Sequence, residues 1–177
     1  MKKVLATIAG ILVILLLIPL FLRSEYTVER EVIIGKPKEE VFTYIKSLKN
    51  QDNYSVWAKK DPNMKKEFQG TDGTVGFISS WNSKKEDVGV GEQEIKKIVE
   101  GERLELELRF KEPYEDTSQA YMSTETVGEA ATKVKWGFVG KMPYPMNAML
   151  LFMNLEEMIG KDFSQGLENL KQILEKG

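Results

Sequence analysis

Histidine and cysteine are both absent from the 177 residues. That removes Ser-His-Asp and Cys-His nucleophile systems, imidazole acid–base catalysis, and zinc sites of the usual kind. It also removes any disulfide framework. Chemistry would have to come from Asp, Glu, Lys, Arg, Tyr or Ser, and a serine without an activating base is a poor nucleophile. No run of Asp and Asn has the spacing of a calcium loop, so neither a metal nor a cofactor is expected. Arg30 shares a strand face with Val28 and Val32. Inward it would be an anion site; at an edge or bulge it would return to solvent. Glu125 opposes Thr124 and Thr126 in a strand of open register. Gly89-Val90-Gly91 lacks the third glycine of a dinucleotide loop, and Gly70 to Gly76 has the pattern of a hairpin.

A second set of residues could hold an apolar molecule. Trp81, Phe110, Tyr121, Trp136, Met149, Phe152 and Met153 are the candidate cavity lining. For any one of them ordinary core is the favoured reading, because aromatic and Met side chains are mostly buried for packing. The methionines sharpen the case: Met142, Met146, Met149, Met153 and Met158 are five of the eight in the chain. Flexible thioethers make adaptable apolar surfaces.

These residues need elements to position them. From Asn147 to Glu175 the chain places Met149, Phe152, Met153, Ile159, Phe163, Leu167, Leu170 and Leu174 at helical spacing. The pattern predicts one closing helix about 40 Å long, enough to cross a small sheet. Gly160 and Gly166 inside it point to close helix–sheet packing, or else to ligand clearance. Strands are predicted at Tyr26–Ile34, Met64–Gly70, Val75–Asn82, Gly89–Val99, Leu104–Phe110, Ser118–Val127 and Thr132–Gly140. Leu104, Leu106, Leu108 and Phe110 alternate with Glu105, Glu107 and Arg109, giving one dry and one wet face. Val134, Trp136 and Phe138 do the same, and Gly128-Glu129 suits the hairpin before them. Val41, Phe42, Ile45 and Leu48 mark a short helix after the first strand, entered at Pro37. Tyr54 and Trp57 follow in a polar stretch and are expected to tuck back onto the fold. The expected class is α+β: a seven-stranded antiparallel sheet around a long C-terminal helix, with a space between them.

Val4 to Leu22 is nineteen residues of almost unbroken hydrocarbon between Lys2-Lys3 and Arg23. That is the length of a membrane-spanning helix, and the run ends without an Ala-x-Ala cleavage pattern. An uncleaved anchor over residues 1–23 is the expectation, with a cleaved signal as the alternative. The two lysines favour a cytoplasmic amino terminus, which puts residues 24–177 outside. Those residues carry 27 acidic against 22 basic side chains. Such a surface is a poor partner for nucleic acid and for anionic lipid headgroups.

The order of elements, with several short motifs, resembles the START-like or SRPBCC superfamily and its helix-grip fold. The nearest branch is the bacterial polyketide cyclase/dehydrase group. The matching pieces are Pro37-x-x-x-Val41-Phe42, Tyr54-Ser55-x-Trp57, Gly73-x-x-Gly76 and Gly89-x-Gly91 with Ile95. Thr132-Lys133-Val134-Lys135-Trp136 and Glu157 to Phe163 with Gly166-Leu167 complete it, over about residues 26 to 175. The resemblance implies an elongated apolar cavity between sheet and helix but little chemistry. The leading expectation is therefore a membrane-anchored, non-catalytic binding domain for a lipid-like or other apolar small molecule. The alternatives are a cyclase-like enzyme that folds and dehydrates a hydrophobic substrate, and an envelope protein-interaction domain.

Overall fold

The computed structural model describes Val4 and residues 16–176. Alternating patterns become seven strands: β1 (Glu25–Ile34), β2 (Lys65–Gln69), β3 (Ile78–Asn82), β4 (Val90–Val99), β5 (Arg103–Glu112), β6 (Asp116–Val127) and β7 (Ala131–Lys141). They form one antiparallel sheet in the order β1-β7-β6-β5-β4-β3-β2. The first two strands thus lie at opposite edges, and three short helices carry the chain between them: α1 (Lys38–Lys46), α2 (Gln51–Tyr54) and α3 (Val56–Lys60). Gly128 turns the β6–β7 hairpin at φ +65°, a conformation that disfavours a side chain.

Register decides which residues face inward. Val28 pairs with Phe138, Phe138 with Ala120, Ala120 with Leu106 and Leu106 with Ile95. This row crosses five strands on one face, and each member is buried. The opposite face is wet and charged. There Arg109 bonds Glu92, Glu94 and Glu107 at 2.8, 2.7 and 2.6 Å.

Against the dry face lies α4 (Leu155–Lys176), about 33 Å long at 1.5 Å per residue. Its buried stripe is Gly160, Phe163, Gly166, Leu167, Leu170 and Leu174. Glu175 accepts a hydrogen bond from the Gly35 amide at 2.7 Å, tying its last turn to the end of β1. The helix starts eight residues later than its apolar periodicity predicts. Met146–Leu151 is instead a 3-10 turn, and Asn154 accepts from the Glu157 amide at 3.1 Å to cap α4.

Most of the predicted span, 5–15, lies outside the described residues. Its end, Ile18–Phe21, is a 3-10 turn with Pro19 buried. Among the described residues no helix is long and apolar enough to cross a membrane.

Candidate ligand cavity

A cavity of about 410 Å³ lies between the inner face of the sheet and α4, roofed by α2 and α3. Apolar side chains dominate its walls. On its wall Trp136 from β7 stacks on Phe163 from α4, centroids 4.5 Å apart and planes within 8°. Trp57 from α3 meets both rings edge-on, at 6.3 and 5.9 Å. Along the side wall Trp81 packs edge-to-face on Phe110 at 6.0 Å. The Trp81 ring fits there because Gly91 lies beneath it: a Cβ would come within 2.6 Å of the indole and 2.8 Å of the Arg109 carbonyl. The indole also donates to the Val88 carbonyl at 3.3 Å, which fixes its orientation.

Polar groups sit at defined places in this apolar surface. Ser79 and Gln93 are register partners on the inner faces of β3 and β4, 4% and 9% exposed. Gln93 donates to the Gln51 side chain of α2, and Ser79 Oγ makes no hydrogen bond among the described residues. Lys66 from β2 is ion-paired with Asp52 from α2 on the same wall. Tyr26 and Asp116 stand where β1 and β6 reach the cavity. The Tyr26 phenol is pushed above its ordinary range by burial and then by the Asp116 carboxylate. Asp116 also accepts from Ser118 Oγ at 2.6 Å. Five carboxylate residues line the cavity (Asp52, Glu86, Asp87, Glu112 and Asp116) against the single cation of Lys66. A neutral or cationic polar group is therefore favoured over an anion inside.

Of the seven residues predicted to line a pocket, Trp81, Phe110 and Trp136 do so. Tyr121 does not. Its strand buries Ser118, Ala120, Met122 and Thr124, so Tyr121 points to the wet face. There its hydroxyl donates to Glu29, its ring lies over Gly137, and the Arg103 guanidinium sits 3.8 Å above it. This bond, with a second from Lys135, holds the Glu29 carboxyl below the usual carboxylate range. Met149, Phe152 and Met153 are also displaced, because the 3-10 turn replaces the helix that would have aimed them inward. Phe152 is 87% and Met149 40% exposed, and Met153 lines a separate shallow depression with Leu150 and Leu151. Arg30 faces α4 rather than the cavity, donating to the Glu29 carbonyl at 2.7 Å and the Glu156 carbonyl at 3.2 Å.

The residues missed by the sequence reading are mainly Tyr26, Ser79, Gln93, Leu108 and Ile159. Gln93 was findable: it alternates with Gly91 and Ile95, so it shares their inward face.

No sequence-family profile matches the chain, and no curated protein matches it by sequence. Solved structures do match. Truncated norcoclaurine synthase from Thalictrum flavum superposes with a TM-score of 0.61 at 10% identity, over 85% of this chain and 93% of its own. Aha1 from Colwellia psychrerythraea, solved as a dimer, gives 0.59 at 13% identity, over 85% and 96%. Ara h 8.0201 gives 0.58 at 14% identity, over 86% and 99%. The fold is the helix-grip fold. Identities this low establish architecture and leave activity open.

Proposed function

We propose that residues 24–177 are a binding domain that holds a lipid-like or other apolar small molecule in the cavity between sheet and α4. Residues 4–22 would anchor it in a membrane with the domain on the extracytoplasmic side. The observation that carries the reading is the cavity: about 410 Å³, walled by Trp57, Trp81, Phe110, Trp136 and Phe163. A space of that size in a natural core costs packing energy, which a ligand would restore. A tether beside the bilayer raises the local concentration of membrane-derived ligands. Binding of 1-aminoanthracene, an uncharged apolar fluorophore, tests the reading; failure to bind it or any cell-derived apolar molecule counts against it.

One observation supports a cyclase-like enzyme as the second reading. Tyr26 and Asp116 both line the cavity, and a half-buried phenol near a carboxylate is a possible acid–base pair. Turnover that disappears in Tyr26→Phe, with probe affinity unchanged, would move the assignment to enzyme.

A further inference from the structure

The Met-rich stretch between β7 and α4 has a place of its own. From Met142 to Leu155 the chain carries no charged residue, between Lys141 and Glu156. Its side chains are not folded away: Met146, Met149, Leu151 and Phe152 are 47, 40, 57 and 87% exposed. Across from them stand Leu20 and Phe21, at 59 and 88%. Isolated exposed apolar residues are ordinary, but a contiguous group of this kind marks an interaction surface.

The two apolar segments are locked together. Asn147 is 3% exposed and donates through Nδ2 to the Pro19 carbonyl at 2.8 Å and the Leu22 carbonyl at 3.3 Å. The Tyr144 hydroxyl donates to the Leu16 carbonyl at 3.1 Å. A buried amide satisfying backbone carbonyls of this kind is costly to break. The Met146–Leu151 turn therefore sits where the nineteen-residue apolar run meets the domain.

We infer that Met146–Phe152, together with Leu20 and Phe21, is a membrane-docking surface that seats the domain on the bilayer interface. The occupant follows from continuity: chain of bilayer-spanning length enters this patch, so hydrocarbon is the nearest apolar phase. The composition agrees, with Met, Leu and Phe at the centre and Tyr144 and Arg23 at the margin, where amphipathic and basic side chains favour the headgroup level. Glu156 and Glu157 beside it make zwitterionic lipid the better substrate than anionic lipid.

Docking also orients the cavity. Tyr26 lines both the cavity and the shallow depression formed by Leu150 to Glu156. The Tyr26 end of the cavity then faces the lipid, which gives a membrane-derived ligand a short route inward. The inference rests on the anchored reading above, and its test separates the two.

The chain has no cysteine, so single labels can be placed cleanly. Full-length Phe152→Cys and Leu151→Cys carry an NBD dye in phosphatidylcholine vesicles; Glu67→Cys, on the opposite edge strand, is the control. Docking predicts blue-shifted emission at 151 and 152, quenched by lipids spin-labelled near the headgroup, and water-like emission at 67. Protein that floats with the vesicles while positions 151 and 152 stay water-like overturns the docking surface and leaves the anchor standing. A blue shift without lipid quenching assigns the patch to a second copy or a protein partner and also overturns it. Protein that does not float at all refutes both readings.

Discussion

The Trp136 indole lies face to face with the Phe163 ring, 4.5 Å between centroids, and both rings line the cavity. Trp136 belongs to the sheet and Phe163 to α4, so their stacking ties helix and sheet together at the cavity wall. Gly166, one turn farther along α4, leaves room for the same indole.

Filling that space should abolish binding. Leu108 is half-buried on the cavity wall between Gln93 and Ser118. Leu108→Trp adds volume where the structure has none, so 1-aminoanthracene affinity should fall about tenfold or more, about 1.4 kcal/mol. The unfolding midpoint in urea should hold or rise, because the added atoms occupy existing space. Unchanged probe affinity would place the probe somewhere other than this cavity.

The two helix glycines should respond differently to the same substitution. A Cβ at Gly166 would sit 2.9 Å from a Trp136 ring carbon, and that ring is held by Phe163, Trp57 and Tyr54. Gly166→Ala should destabilise by about 1–3 kcal/mol, the range for overpacking. At Gly160 the neighbour is the Arg30 guanidinium, the free end of a flexible chain. Gly160→Ala loses the Arg30 contact to Glu156 but gains about 1 kcal/mol of helix propensity, so it should be near neutral. Urea denaturation of both variants checks this, and equal effects would contradict it.

The polar patch predicts what kind of head group the ligand carries. In displacement of 1-aminoanthracene, decan-1-ol should outcompete decanoate by about tenfold, because carboxylates outnumber cations around the cavity. Ser79→Ala should weaken the alcohol and leave decanoate unchanged. A preference for decanoate would mean that Lys66, not Ser79 and Gln93, reads the head group.

Acid should act through the outer face. Hydrogen bonds from Lys111 and then Arg109 hold the Glu92 carboxyl low, and Arg109 does the same for Glu94. A folded pKa below the unfolded one gives stability that is present above about pH 4.3, the ordinary glutamate value, and is lost as pH falls through the folded value. Arg109→Gln should therefore cost about 1 kcal/mol near neutral pH, shrinking as salt is added and vanishing in acid. Urea titrations across that range, at low and high salt, read it out. A penalty that persists unchanged in acid would assign Arg109 a packing role instead.

The fold was legible because two strands carry clean alternation, at Leu104–Phe110 and at Val134–Phe138, and because α4 has an unambiguous stripe from Phe163 to Leu174. The site was legible only in part. Tyr121 is the largest side chain of its strand, yet the face that turns inward carries Ser118, Ala120, Met122 and Thr124, so hydrophobicity pointed the wrong way. Met149, Phe152 and Met153 keep helical spacing through a segment that is not α-helix, and the cause is non-local: Asn147 is bonded to carbonyls more than a hundred residues earlier. Gln93 could be placed inward by its alternation with Gly91 and Ile95, whereas the small, polar Ser79 reaches the cavity wall only through its pairing with Gln93, which a sequence alone leaves undetermined.

The most direct test is native mass spectrometry of Ser24–Gly177, which contains every strand and helix that walls the cavity. A co-purifying apolar molecule is expected that leaves only on unfolding and is missing from Leu108→Trp. A bare mass that also fails to take up 1-aminoanthracene would contradict it.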